Sequence, residues 1–291
     1  MTSFLERMGR IDRRIIFVLI ALAVIIPLML GLIFPSVTTP IVQKIFDQVD
    51  GLPPGSKVLV SADYGPATEP ENQPMLEVVV RHALHKDLRV YLVTLWATGP
   101  PMMTLLKRNV IEADFAEKTQ GEDWVDFGYK AGNQGVINSA FSDFRVAFPV
   151  DVNGDNVHLI PMMESIQTLA DFDLIVAIGS GFPGVKEWIQ FGGDPTGVPT
   201  AGGVTAVEAP LLYPYYPEQL LGLMGGLLGA AEYEAALVVA YPQYRESSRQ
   251  AIQRMGPQTV AHLVIILFII ICNIAYLAGG REKPKIGVSR Q

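Results

Sequence analysis

The chain has almost no cysteine. The single example among 291 residues, Cys272, lies inside an uncharged apolar run. The sequence outside that run therefore has no disulfide framework and no thiol chemistry. No N-x-S/T acceptor occurs, so no N-linked glycan is encoded, which fits a prokaryotic envelope setting. A Walker-type G-x-x-x-x-G-K-[ST] loop is missing, which excludes that way of holding a nucleoside triphosphate. Positive charge is scarce between residues 35 and 258. Eight of the 22 Lys+Arg and three of the 29 Asp+Glu lie outside this stretch, leaving 14 basic against 26 acidic residues within it. Such a balance argues against nucleic acid and anionic lipid headgroups as partners of the middle of the chain, because both need neutralising cations.

Apolar sequence, by contrast, is abundant. Ile15–Phe34 runs for twenty residues without a charge, and Thr259–Gly279 for twenty-one. At 1.5 Å per helical residue, roughly 20 residues cross the ~30 Å hydrocarbon core of a bilayer. The first run exceeds the ~7–15-residue apolar region of a secretory signal, and no small-x-small cleavage site follows it in "FPSVTTP". It reads as a signal anchor. Arg7, Arg10, Arg13 and Arg14 precede the first run; Arg281, Lys283, Lys285 and Arg290 follow the second. Lys and Arg stay on the cytoplasmic side. The expectation is a two-pass protein with both termini cytoplasmic: a tail over 1–14, a span over 15–34, an extracytoplasmic domain over 35–258, a span over 259–279 and a tail over 280–291. The lipid bilayer is then an obligatory partner.

The middle alternates between two periodicities. Thr39 and Pro40 suit the cap and first position of a helix carrying Ile41, Val42, Ile45, Phe46 and Val49 on one stripe. Continuous apolar runs at 57–64, 88–96, 123–129 and 173–180, with a weaker one at 199–207, read as strands buried on both faces. Helical patterns separate them, near 74–86, 98–115, 133–146, 162–170 and 217–237. Alternating strands and helices imply right-handed crossovers and a parallel sheet. The expected fold class is α/β: a Rossmann-like three-layer parallel-sheet domain flanked by an N-terminal and a C-terminal transmembrane helix.

Gly179, Gly181 and Gly184 spell G-x-G-x-x-G between the fourth strand and a helix, the nominal dinucleotide fingerprint. Four considerations favour a glycine turn needed for backbone reasons instead. The dinucleotide site uses the first strand, and this turn follows the fourth. Pro183 removes an amide that would donate to phosphate. Asp194 is too close to act as the ribose-binding acid, and Glu208 sits beyond a weakly patterned strand. Outside the cytoplasm such nucleotides are scarce. No cofactor is expected.

Ligands of open parallel sheets bind at the C-terminal ends of the strands. The residues there include Asp63, Tyr64, Thr94, Trp96, Ser180, Gly181 and Thr205, with Asn133 after the third strand. They form a polar rim suited to a small ligand, although Asp63 also suits a structural role. Ser180 stands outside the G-x-S-x-G elbow and has no histidine placed to serve it. His82 and His85, three apart with Asp87 beyond, read as a solvated helix face rather than the start of a metal site. "DVNGDN" at 151–156 lacks the glycine of a calcium loop at its sixth position and reads as a β-turn.

The pairs Gly222/Gly226 and Gly225/Gly229 are each four apart within the helical pattern over 217–237. Each helical glycine costs about 0.8–1 kcal/mol relative to alanine. Something must approach that backbone closely: the domain's own sheet, a neighbouring subunit, or the bilayer surface. Asn273 inside the second apolar run is expected to face another helix, either the first span, which Pro27 and Gly31 break, or a second copy of the chain. Gly256–Pro257 reads as a hinge or helix break before that run. These features point to a non-catalytic assembly or scaffold subunit of a membrane complex, paired with itself or with another membrane protein. The alternative is a small-ligand-binding or sensing module using Asp63, Asn133 and Ser180. A hydrolase or transferase with an unrecognised site is a third reading.

Overall fold

A computed structural model describes residues 12–34 and 37–278. The basic flanks at Arg7, Arg10 and 281–291 lie outside the described residues. Pro35–Ile252 forms one compact unit, and the apolar segments on either side form a second.

The first unit is built on six parallel strands: β1 (Lys57–Asp63), β2 (Arg89–Thr94), β3 (Trp124–Tyr129), β4 (Leu174–Gly179), β5 (Thr200–Val204) and β6 (Gly222–Gly225). Their spatial order is β3-β2-β1-β4-β5-β6. The chain winds outward from β1 to β3, returns to the other side of β1, and winds outward again. The switch point lies between β1 and β4, where Val58 pairs with Leu174 and Asp63 with Gly179. Both strands are buried almost throughout, as their unbroken apolar runs require.

Four longer helices serve this sheet: α2 (Pro40–Gly51), α3 (Glu69–His85), α5 (Gln134–Ser142) and α6 (Gly226–Ala240), with a shorter α4 at Pro100–Leu106; α1 (Arg13–Leu30) and most of α7 (Gln250–Ala278) belong to the apolar segments. In α2 the expected stripe is buried through Val42, Ile45, Phe46 and Val49. Thr39 precedes α2, yet its hydroxyl turns away from the helix to Glu232. The pattern over 133–146 breaks at Asp143, whose extended backbone lets its carboxylate accept the amides of Arg145 and Val146 and start a new turn. The pattern near 162–170 is two short 3₁₀ turns, Pro161–Ser165 and Leu169–Asp171.

The largest departure from expectation is at 217–237. Gly222–Gly225 is a strand, and α6 starts at Gly226. Glycine is a poor helix former, while β5 offers a row of backbone partners, pairing Ala201 with Gly222 and Val204 with Gly225. Gly226, at φ +61°, turns the chain from strand into helix. The close approaches are all internal. A Cβ on Gly222 would overlap the Ile41 carbonyl and lie 2.6 Å from Ile45 Cγ1. One on Gly229 would lie 2.7 Å from Met224 Cα, and one on Gly225 3.0 Å from Ala209 Cβ. Gly222→Val is accordingly expected to destabilise the domain itself by about 1–3 kcal/mol through overpacking. Urea unfolding measures this, and an unchanged midpoint would contradict the assigned contact.

In the second unit, α1 spans Arg13–Leu30 and ends at Gly31, which adopts the left-handed conformation at φ 59°. The helix is thus shorter than the apolar run to Phe34. Helix α7 spans Gln250–Ala278 without interruption at Gly256–Pro257, where a break was expected. The residue before proline normally leaves the helical region because its Cβ meets the proline Cδ; Gly256 has no Cβ. An added one would overlap the carbonyl of Leu32. Among the described residues, α7 is the one helix long and apolar enough to cross a membrane, reaching a mean hydropathy of 2.1 over an 18-residue window within Gln250–Ile274. Helix α1 is apolar but shorter.

Candidate functional site

Asp63 ends β1 at the switch point and is wholly buried. Its Oδ1 accepts the Leu95 amide at 2.6 Å; its Oδ2 accepts Ser61 Oγ at 2.6 Å and Trp188 Nε1 at 2.8 Å. Burial outweighs these donors and raises its pKa to about 6, with the Glu187 charge adding to the rise. A carboxylate enclosed by three donors joins β1 to the segment after β2 and to Trp188. It cannot reach a substrate. Tyr64 is equally buried, and its hydroxyl donates to Gln73 Oε1 at 2.7 Å.

The glycine turn after β4 is closed by the protein's own groups. Trp96 Nε1 donates to the Pro183 carbonyl at 2.7 Å, and a Cβ on Gly181 would lie 3.3 Å from the Trp96 ring. A Cβ on Gly65 would lie 2.5 Å from Thr98 Oγ1, on the β1 side of the crevice. Ser180 Oγ accepts from Thr68 Oγ1 at 3.0 Å, and Asn72 Nδ2 donates to the Gly179 carbonyl at 3.0 Å. The amide of Gly184, where a pyrophosphate would be received, donates to Glu187 Oε2 at 2.8 Å. A carboxylate therefore already occupies the anion position at the end of this turn. On the β1 side the first turn of α3 carries Glu69 and Glu71, which repel phosphate.

Known proteins bring no family to this site. No protein-family model matches the chain, and no curated protein matches it. The geometry must be read from its own residues.

Of the rim residues expected from sequence, Asp63, Tyr64, Ser180 and Gly181 come together at the switch point, where the Ser180 amide donates to the Asp63 carbonyl at 3.2 Å. Asn133 does not join them. It is exposed beyond β3, two strands from β1, at φ 52°. Sequence reasoning missed Glu187, Trp188 and Asn72, and considered Glu208 only as a ribose-binding acid. The first had a legible signal, a carboxylate three residues after Gly184 at the spacing of a capping box. Glu208 has its pKa raised to about 7 by burial and by Glu187, and its Oε2 has no hydrogen-bond partner. The Oδ1 of the fully buried Asn72 is unpaired as well. Among the described residues no three of His, Cys, Asp or Glu gather closely enough to hold a metal ion.

The histidine pair also differs from expectation. His82 is fully buried rather than solvated. Its Nδ1 lies 2.9 Å from Tyr233 Oη and its Nε2 3.3 Å from Asp50 Oδ1, while its ring stacks on Phe46. The apolar face of α3 is wider than its 3.6-residue pattern implied, because α6 and α2 cover it from two sides.

A second polar cluster holds the ends of this unit. Glu232 on α6 accepts the Thr39 amide at 3.0 Å and hydroxyl at 2.5 Å. Two residues on, Glu234 accepts the amides of Ala251 and Ile252 at 3.0 and 2.9 Å, capping the start of α7. Gln250 Nε2 donates to Glu77 Oε2 at 2.8 Å, and Arg81 donates to Ser248 Oγ at 3.1 Å. Glu77 Oε1 in turn accepts from Gln73 Nε2 at 3.0 Å, and Gln73 receives Tyr64. A buried hydrogen-bonded chain thus runs from the end of β1 along α3 to the first residue of α7.

Proposed function

We propose that this chain is a two-pass membrane protein whose central α/β domain is extracytoplasmic and non-catalytic, and that it acts as an assembly subunit of a membrane complex. The observation that carries the reading is the closed switch point: Trp96, Thr98 and Glu187 fill the place where this strand order receives a nucleotide. The two-pass topology draws support from the meeting of Leu32, just past α1, with Gly256, near the start of α7. The helices then run antiparallel, with Arg13 and Ala278 toward the same side, as basic flanks at both ends of the sequence require. Asn273, exposed on α7, supports assembly; the four glycines no longer do, since their close neighbours lie within the domain.

Mild-detergent extraction of the tagged full chain, followed by affinity purification and light scattering, tests this. The expected result is a particle heavier than the 31.8 kDa chain, through copies of itself or a co-purifying membrane protein. A bare monomer would overturn it, as would protease protection placing Phe182 on the cytoplasmic side.

A second reading, a small-ligand-binding or sensing module, is favoured by one observation. Asn72 Oδ1 and Glu208 Oε2 are acceptors at the C-terminal edge that no protein donor satisfies. A thermal shift from a small amine or other donor-rich metabolite, lost in Asn72→Leu, would move the balance to this reading.

A further inference from the structure

Helix α7 has two distinct faces. From Pro257 onward the less exposed positions are Pro257, Thr259, Val260, Ala261, Val264, Phe268 and Ile271, and all of them but Thr259 recur at three- and four-residue spacing on one side. The polar residues of the same stretch follow a different phase. At 100° per residue, His262 stands about 40° from Gln258, and Asn273, eleven residues further, about 20° beyond that. All three fall within about 60° of one another and are exposed. Ile269 lies inside the same arc. This polar seam points roughly 140° away from the centre of the covered face.

Among the described residues none of the three has a side-chain partner in another element. Asn273 Nδ2 donates to the Ile269 carbonyl one turn back at 2.8 Å, and its Oδ1 meets no donor among the described residues. Gln258 and His262 make no side-chain hydrogen bond among the described residues. Within the uncharged run from Thr259 to Gly279, Asn273 stands fourteen residues from the start, about 21 Å along the helix. An amide at that depth has no water to bond, and polar side chains in spans turn toward another helix. Helix α1 supplies nothing of the kind, since Arg14 is the only polar residue among Arg14–Leu30.

From this seam we infer that α7 pairs with α7 of a second copy of the chain, through Gln258, His262 and Asn273. The inference rests on the proposed membrane-spanning reading and names the partner for it. The chemistry selects a copy over an unrelated helix. Carboxamides and neutral imidazole each carry both a donor and an acceptor. Two copies inserted the same way are related by a two-fold axis along the bilayer normal, which sets each residue beside its own counterpart. Asn273 then meets Asn273 and His262 meets His262, each offering what the other lacks. A charged seam would repel itself in that arrangement, and an apolar one would carry no such preference.

Cysteine cross-linking of the full chain in native membranes tests the pairing. In a Cys272→Ala background, Ile269→Cys is expected to give a covalent dimer on mild oxidation. Val264→Cys, on the covered face, is expected to give little. Replacing Gln258, His262 and Asn273 together with leucine should abolish the Ile269→Cys product and lower the detergent-extracted mass by at least half. Equal cross-linking from both faces, or a dimer that survives the triple leucine variant, would overturn the seam. If Ile269→Cys gives no dimer while another membrane protein still co-purifies, this pairing fails and the assembly reading stands. A monomer with no partner would remove both.

Discussion

Trp188→Ala is expected to cost about 3–5 kcal/mol of stability, the range for emptying a large buried aromatic site. Trp188 has no exposed surface and bonds Asp63, so the variant opens a cavity and removes one of three donors from a buried carboxylate. Trp188→Phe separates the two effects. It keeps most of the volume and loses the indole N–H, with an expected cost of about 1–3 kcal/mol. Urea unfolding of both variants, with the full chain in detergent, measures the difference. Equal losses would assign the effect to the hydrogen bond alone. A loss below about 1 kcal/mol for alanine would show that the switch point is not packed as described.

The second large effect depends on pH. Burial holds the His82 pKa down to about 4, against an ordinary 6.5, despite the opposing pull of Asp50. The unfolded chain therefore binds the proton first as pH falls. Stability is lost between about 6.5 and about 4, by roughly 3 kcal/mol if the 2.5-unit gap is converted at 1.36 kcal/mol per unit. Asp63 and Glu234 act the other way. Their pKa values are raised to about 6 and about 7, and that of Glu208 to about 7, so the contribution of these carboxyls is fullest below the ordinary carboxylate range and is lost as pH rises through those values. A wild-type profile alone would blend these four groups. The stability gap between wild type and His82→Gln isolates the histidine: it should be widest at pH 7 and narrow steadily toward pH 4. A gap independent of pH would refute the depressed imidazole.

Much of the domain was legible from apolar periodicity. Strands buried on both faces announce themselves as short unbroken runs, and β1, β2, β3 and β4 lie where "KVLVSADY", "LRVYLVTLW", "DWVDFGY" and "DLIVAIGS" stand. What failed was local propensity overridden by pairing. Gly222–Gly225 shows no strand pattern, because only Leu223 and Met224 of its four residues carry a side chain; its place is set by the open edge of β5. Strand order was invisible for the same reason, since register is written in backbone hydrogen bonds. The rim was half legible. Sheet topology puts Asp63 and Ser180 side by side, but nothing in the sequence says that Trp188, 125 residues on, closes over the carboxylate. His82 shows the limit of a single-helix view: its burial comes from two other helices.

One consequence follows from the contact of Ile41 with Gly222. These residues are 181 positions apart, and β6 is the last strand to be made. At about 5–20 residues per second of synthesis, α2 must wait roughly ten to forty seconds for the surface it packs on. Until then Ile45 lacks its strand, although Phe46 can already stack on His82 of α3. The nascent chain thus carries an amphipathic helix that stays only partly covered until the final strand arrives.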